Sequence, residues 1–464
     1  MQTHDSGFDP GTKGTAPANT ILVHSVWIVF AAVALNAIYF TLRFEFGYGV
    51  GTFLSGPSDR FADLIKVALS FKTITQHLAD SDSFQNWPTL YQGYLLHNPH
   101  GGLENLAVGG LTHFQYPPLS ELIFTLCALL ISATKSPSAV LWVWFFIYLC
   151  GVYCLGKLAQ PASQLSTERW LFISFLCLAS YPALFMLSRG NYHAGFTSIL
   201  ISIFMVSLFG RHQFSITTMV ALALAINIRP TAALFLISLP LTLGLRPSIK
   251  PMFRTLILTG ALFVATLLIE QSIYPDYTIG NFLRGLEIYR SLYIDGRAGD
   301  GGNSSLWAMI RNGAGMTGIF IYQEELWRIF LAGSVFVSAL SMRELLAGNA
   351  AIAAGPFALV SCYVLLQPVC ADYHLLVFIA PLLLIAMNGK GMHLHPNDRI
   401  AVIASTILLC PKNYIFVNGI SLQTLLNPLV LMCALILMNA GRARDMVLLS
   451  TSPQPTGLGE TLLK

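Results

Sequence analysis

Asp59 and Asp63 stand four residues apart in Ser55-Gly-Pro-Ser-Asp59-Arg60-Phe-Ala-Asp63-Leu-Ile-Lys66. In a helix that spacing puts both carboxylates on one face. A carboxylate among apolar neighbours is poorly solvated and suited to taking a proton, and Asp63 has Phe61, Ala62, Leu64 and Ile65 around it. The polar stretch runs on through Trp87-Pro88 and Tyr91 to Phe114-Gln115-Tyr116-Pro117-Pro118, too long and too rich in acids and aromatics for a plain connection. Its bland alternative is a solvated amphipathic helix on a membrane surface. Arginine supplies the opposite charge: Arg229 follows the apolar run 221–228, and Arg189 closes another. Both can snorkel to lipid headgroups, and both can pair bidentately with a phosphate.

The elements that must position these groups are apolar. Of 464 residues 55% are hydrophobic and 10% charged, against about 25% charged in soluble domains. The mean hydropathy of +0.64 points the same way, to an all-α polytopic membrane protein. The small net charge of +4 leaves no nucleic-acid footprint. Cys127, Cys150, Cys154, Cys177, Cys362 and Cys433 fall singly in apolar runs, which reads as small core residues. His393-Leu-His395 reads as a cytoplasmic loop ahead of a metal pair, and residues 1–19 lack the apolar stretch of a cleaved signal.

Apolar runs long enough for a bilayer fall at 21–40, 119–133, 140–155, 170–187, 196–209, 216–228, 232–245, 257–269, 327–340, 351–366, 375–387, 400–409 and 425–438, about 11–13 spans in all. One membrane domain covers 1–450, with a first external loop at 43–118, a second at 274–325 and a polar tail at 451–464. Lys157/Arg169, Arg211, Arg246/Lys250/Arg254, Lys390/Arg399 and Arg442/Arg444 mark the cytoplasmic side. Tyr116, Arg189, Asn191, His193, Arg229, Asn303, Ser304, Asp372 and His374 then share the outer side with Asp59, Asp63 and Trp87. The parity works only if one of 119–133 and 140–155 is re-entrant, or if the pair is divided differently. In the second loop, glycines around Asp300 free the backbone, and Ser305 to Ile310 reads as an amphipathic helix on the membrane with Trp307 at its interface. The sequon Asn303-Ser304-Ser305 is short enough to arise by chance.

Several short motifs recur in order: the acidic segment 59–63, Tyr116-Pro-Pro-Leu119, Arg189-Gly-Asn191, Ile228-Arg-Pro230, Gly302-Asn-Ser-Ser-Leu306, and Asp372-Tyr-His374 followed by Pro381. As a series they resemble the bacterial polyprenol-phosphate-mannose-dependent mannosyltransferases, a family of the GT-C superfamily of membrane glycosyltransferases. That family tends to show Gly-Gln-x-Asn at the third motif, Lys-Pro at the fourth and Gly-Asn-Gln-Ser-Leu at the fifth. The resemblance implies a GT-C-like bundle with two long extracytoplasmic loops carrying amphipathic helices, and a first loop that supplies the catalytic acid. Carried onto this chain it points to Asp63 as base, with Asp59 as fallback.

The implied reaction moves a hexose such as mannose from a polyprenyl-phosphate donor to a glycan or glycolipid acceptor. The acceptor hydroxyl loses its proton to the carboxylate as it attacks, inverting the anomeric centre. The departing lipid phosphate needs cations, for which Arg229, Arg189 and His374 are the candidates. Tyr116, Asn191, Asn303 and Ser304 are the candidate substrate contacts. No cofactor is expected and no cluster demands a metal, although the two acids could hold one. The setting implied is a bacterial inner membrane with the site facing outward. A transporter or flippase would instead line a pathway with these charges, and a glycan polymerase or ligase would lean on the arginines more than on an aspartate.

Overall fold

The computed structural model describes residues 18–45, 116–134, 137–159, 167–211, 214–273, 275, 277–296, 303–347, 351–388, 394–412, 416–417 and 420–451. Asp59, Asp63, Trp87, Asp300, His393 and all but the first residue of the tail lie outside them. The described chain is nearly all helical. Its helices are α1 (Ala18–Glu45), α2 (Pro118–Thr134), α3 (Pro137–Leu158), α4 (Thr167–Ala179), α5 (Tyr181–Arg189), α6 (Tyr192–Met205), α7 (Ile216–Ile228), α8 (Ser238–Leu243), α9 (Leu245–Ile273) and α10 (Ile279–Tyr289). After them come α11 (Leu306–Thr317), α12 (Gln323–Leu346), α13 (Ala354–Leu366), α14 (Ile379–Asn388), α15 (Pro396–Leu409) and α16 (Gln423–Thr451). A short antiparallel ladder pairs Val417 with Ile420.

Among the described residues six helices are long and apolar enough to cross a membrane, and α4 with α5 makes a seventh if the bent pair is one span. Shorter apolar helices at 216–228, 230–243, 354–366 and 372–388 stand among them. The 50° bend between α4 and α5 has a local cause. Pro182 interrupts the backbone ladder and the Ser180 hydroxyl donates to Leu176 O at 2.6 Å. The 29 residues of α9 make a rod of about 43 Å. Phe253, Ile257, Val264 and Leu268 on it are half or more exposed, as are Trp142, Phe146 and Tyr153 on α3. Apolar faces of this extent belong against lipid. Cys150, Cys154 and Cys433 are exposed too, which corrects their reading as core residues, whereas Cys127, Cys177 and Cys362 are buried.

Two polar layers mark the ends of the bundle. At one, Arg442 Nε and Nη2 donate to the Glu344 carboxylate at 2.7 Å each, and Asn397 Nδ2 donates to Glu344 Oε1 at 3.1 Å. Beside them the Asp398 carboxylate accepts the backbone N–H groups of Ile352, Ala353 and Ala354 at 2.7–3.0 Å, an anion seated on the N-terminus of α13. At the other end lie Arg229, Asn303, Gln367, Asp372, His374 and Asn427. Helices α13, α15 and α16 each have one terminus in either layer, so Arg229 and His374 stand opposite Arg442, as the charge pattern requires.

The same contacts locate the re-entrant segment. Ser120 Oγ donates to Ile228 O at 3.0 Å, so α2 begins at the Arg229 end. Helix α3 runs alongside α6 in the same direction, with Trp144 on Tyr192, Tyr148 on Phe196 and Gly151 against Ile199. Since α6 leaves the Arg229 end at Tyr192, α3 begins there as well. Helix α2 therefore does not carry the chain to the opposite end; the segment 119–133 is the one that turns back.

The second loop differs from expectation. Trp307 is fully buried against Trp327 (ring centroids 4.3 Å) and Phe330 (5.5 Å), not laid on a membrane surface. Local periodicity gives α11 an apolar face but cannot say whether lipid or protein covers it.

The Glu344–Arg442 pair is the strongest test of this packing. Removing one partner of a buried pair strands the other charge, so Arg442→Ala should cost about 3–5 kcal/mol and lower the melting temperature well below that of wild type. A melting temperature within error of wild type would show that the pair does not tie α12 to α16.

Candidate functional site

The site is built on the end of α7. Pro230 disfavours helical backbone at the residue before it, and Arg229 is extended at φ −140°, ψ 102°, so α7 stops at Ile228. The guanidinium thus emerges at a helix C-terminus, where positive charge is favoured. It is half-buried and held on three sides. Nε donates to Gln367 Oε1 at 2.9 Å and Nη2 to Val369 O at 3.1 Å. Nη1 meets the imidazole of His374, at 3.2 Å from Nδ1 and in contact with Nε2. An arginine N–H needs a lone pair on its partner, so the ring nitrogen that accepts is unprotonated. All three partners are neutral, and no carboxylate pairs with Arg229 among the described residues. Two of its five N–H groups remain for a ligand.

Tyrosines ring this charge. Tyr289, Tyr363 and Tyr373 lie within electrostatic reach of the guanidinium, as does Cys370. Tyr289 stacks on Tyr293 at 4.7 Å. Burial pushes its phenol up to about 12 while Arg229 pulls the other way, so it stays a neutral hydroxyl.

The segment 368–374 that carries Val369 and His374 is fixed by the Asn-Ser-Ser motif. Asn303 Nδ2 donates to Pro368 O at 2.9 Å, and its Oδ1 accepts from Cys370 N at 2.9 Å. Ser304 N donates to Cys370 O at 2.7 Å, and Ser305 Oγ to Pro368 O at 3.0 Å. Ser305 also caps α11 by accepting from Ala308 N. Ser304 Oγ donates to Asp372 Oδ1 at 2.5 Å, with Asn427 Nδ2 at 2.8 Å from that hydroxyl and Tyr181 OH at 3.3 Å from Asp372 Oδ2. Asn303 and Ser304, expected as substrate contacts, are committed to their own chain, and the buried Asn303 amide is no surface sequon.

Tyr116 packs edge-on against Phe124 at 5.0 Å and His193 at 5.5 Å, and its carbonyl accepts from Tyr277 OH at 2.6 Å. His193 is in turn close enough to His374 to act on it electrostatically. The structure therefore gathers Tyr116, His193, Arg229 and His374 at one end. The Arg-Gly-Asn motif makes the α5–α6 corner. Gly190 ends α5 in the left-handed region at φ 69°, with Asn191 N bonded to Met186 O, and the Asn191 side chain caps α6 through Ala194 N. Arg189 lies over Phe185, which itself stacks on Tyr181 at 5.7 Å and Tyr373 at 6.0 Å.

Sequence reasoning passed over several groups here. Glu121 and Glu270 are buried within reach of one another, with Thr125 Oγ1 donating to Glu270 Oε1 at 2.6 Å. An acid inside an apolar run is the signal that would have found them. Lys412 closes the end of α15 by donating to Ile407 O at 2.6 Å and Cys410 O at 2.8 Å. Desolvation pushes its ammonium down to about 8, against the pull of Cys410 and Asp372. Gln367 and Asn427 carry no motif at all. No protein-family model matches the chain, and no curated protein or solved structure matches it significantly. Among the described residues no group of three or more His, Cys, Asp and Glu side chains is placed to hold a metal ion.

If Asn303 clamps 368–370, Asn303→Ala takes the Oδ1 acceptor from the Cys370 and Ser305 N–H groups, at about 1–3 kcal/mol each, while Ser305 Oγ still pairs with the Pro368 carbonyl. Thermal unfolding of the purified variant should come several degrees early; an unchanged midpoint would contradict the clamp.

Proposed function

We propose that this chain is a membrane glycosyltransferase, moving a hexose such as mannose from a polyprenyl-phosphate donor to a glycan or glycolipid acceptor. The observation that supports the reading is Arg229: a guanidinium at the end of an apolar helix, fixed by three neutral partners, with two N–H groups left and no described carboxylate to neutralise it. A half-buried charge in that condition calls for an anionic ligand, and a lipid phosphate brings one to this depth. His374 holds Nη1 in place, and the tyrosines around the guanidinium shield it from water. Arg189 is a second, peripheral cation in this reading.

In the proposed reaction the acceptor oxygen bonds to the anomeric carbon as the bond from that carbon to the donor phosphate oxygen breaks. The electron pair leaves with the phosphate, whose growing charge Arg229 stabilises. The acceptor proton goes to Asp63, with Asp59 as the alternative, both in the first loop beyond the described residues. One displacement inverts the centre. The bundle is GT-C-like with about 11–13 spans, set in a bacterial inner membrane with the Arg229 end outward.

Sugar transfer from radiolabelled polyprenyl-phosphate sugars in purified membranes tests this. Arg229→Ala should lower the rate by about 10²–10³, and Asp63→Asn by about 10²–10⁴, with each variant accumulating normally and Asp59→Asn close to wild type. Wild-type membranes that transfer nothing from any such donor, yet move a labelled solute, would replace the enzyme with a transporter.

A further inference from the structure

Helix α10 begins at the Thr278 cap and carries Ile279, Leu283 and Leu286 at spacings of four and three, which put them on one face. They are 52%, 55% and 40% exposed. The turn after α11 extends the apolar surface with Phe320 and Tyr322, 79% and 66% exposed. Gln323 Nε2 donates to Asp295 Oδ1 at 2.9 Å, which ties that turn to the segment following α10. The chain leaves a candidate span, α9, just before α10 and joins another, α12, just after the turn, so this surface sits where the bundle meets the membrane boundary. Arg284 and Glu287 are exposed on the same helix, and Arg290, with 63% of its side chain exposed, pairs with Asp295 at 3.3 Å, so a polar border of both signs flanks the apolar face. The last residue of α10 is Tyr289, which lies within electrostatic reach of Arg229 and stacks on Tyr293.

We infer that α10 docks on the headgroup boundary of the bilayer through Ile279, Leu283 and Leu286, and that this docking holds Tyr289, stacked on Tyr293, beside Arg229. A phosphate carried by a lipid then reaches the guanidinium along the membrane-bound helix and not from bulk water. The docking stands on the exposed face and its place between two spans; the coupling to the phosphate rests on the function proposed above.

The test uses the full-length protein reconstituted in vesicles of phosphatidylcholine and phosphatidylglycerol whose acyl chains carry bromine near the headgroup. Leu283→Trp adds one fluorophore to the seven native tryptophans, and the emission gained over wild type should be quenched by bromine at that shallow depth. Unquenched added emission overturns the docking. Affinity for polyprenyl phosphate is then measured on the same preparations. The double variant Leu283→Glu with Leu286→Glu should bind about tenfold more weakly at an unchanged melting temperature, equivalent to about 1.4 kcal/mol. Quenching together with wild-type affinity in the double variant overturns the coupling. Wild type that binds no polyprenyl phosphate overturns the reading of Arg229 and the coupling with it, while the quenching still decides the docking.

Discussion

A positive charge at the end of an apolar helix has to be held, and here it is held with no acid among the described residues to neutralise it. That constraint organises the Arg229 end of the bundle. Gln367, Val369 and His374 all come from the turn between α13 and α14, so the turn must be rigid if the guanidinium is to point anywhere. The rigidity comes from sequence-distant partners: Asn303, Ser304 and Ser305 hold the backbone of 368–370, and Ser304, Asn427 and Tyr181 hold Asp372. Apart from the Asn427 Oδ1, which has no hydrogen-bond partner among the described residues, these polar groups are satisfied by neighbours, which in a low-dielectric setting makes such a network stiff. The cost of desolvating Arg229 is thereby shared among several elements instead of being met by a counter-ion.

The two ends of the molecule solve the problem of buried charge differently. At the far end Arg442 and Glu344 neutralise each other, and Asp398 spends its charge on the N-terminus of α13. Those groups are closed to ligands and serve to lock α12, α13, α15 and α16 together. At the Arg229 end the acids and the cation are kept apart: Asp372 is occupied by hydroxyl and amide donors, and Arg229 by acceptors that carry no charge. A structural pair and a binding centre differ in this respect, and the contrast within one chain is what gives the Arg229 end its functional reading.

Part of this was legible in the sequence. A proline directly after Arg229 dictates where α7 stops, and apolar runs bounded by arginines gave the helices and their two ends. The segment 119–133 emerged as one of two candidates for turning back because the charge clusters demanded it. Other features depend on partners far along the chain. Nothing local in Asn303-Ser304-Ser305 says that its side chains will be spent on residues 368–372, and nothing in Arg189-Gly-Asn191 separates a ligand motif from the stop and cap of two helices. Trp307 went to the protein interior because Trp327 and Phe330 meet it there, which periodicity cannot show. Conversely Cys150, Cys154 and Cys433 sit in apolar runs whose apolar neighbour is lipid. Glu121 and Glu270 stood in plain sight inside apolar runs and needed only to be weighed as buried acids.

The most direct measurement is the location of the phosphate itself. Cryo-electron microscopy of the protein in nanodiscs, with and without polyprenyl phosphate, would show it. The account predicts a phosphate whose oxygens lie within hydrogen-bond distance, about 2.7–2.9 Å, of the Arg229 Nη atoms, with Gln367, Val369 and His374 still in contact with the guanidinium. A lipid phosphate bound elsewhere on the bundle, with Arg229 engaged only by its own chain, would contradict it.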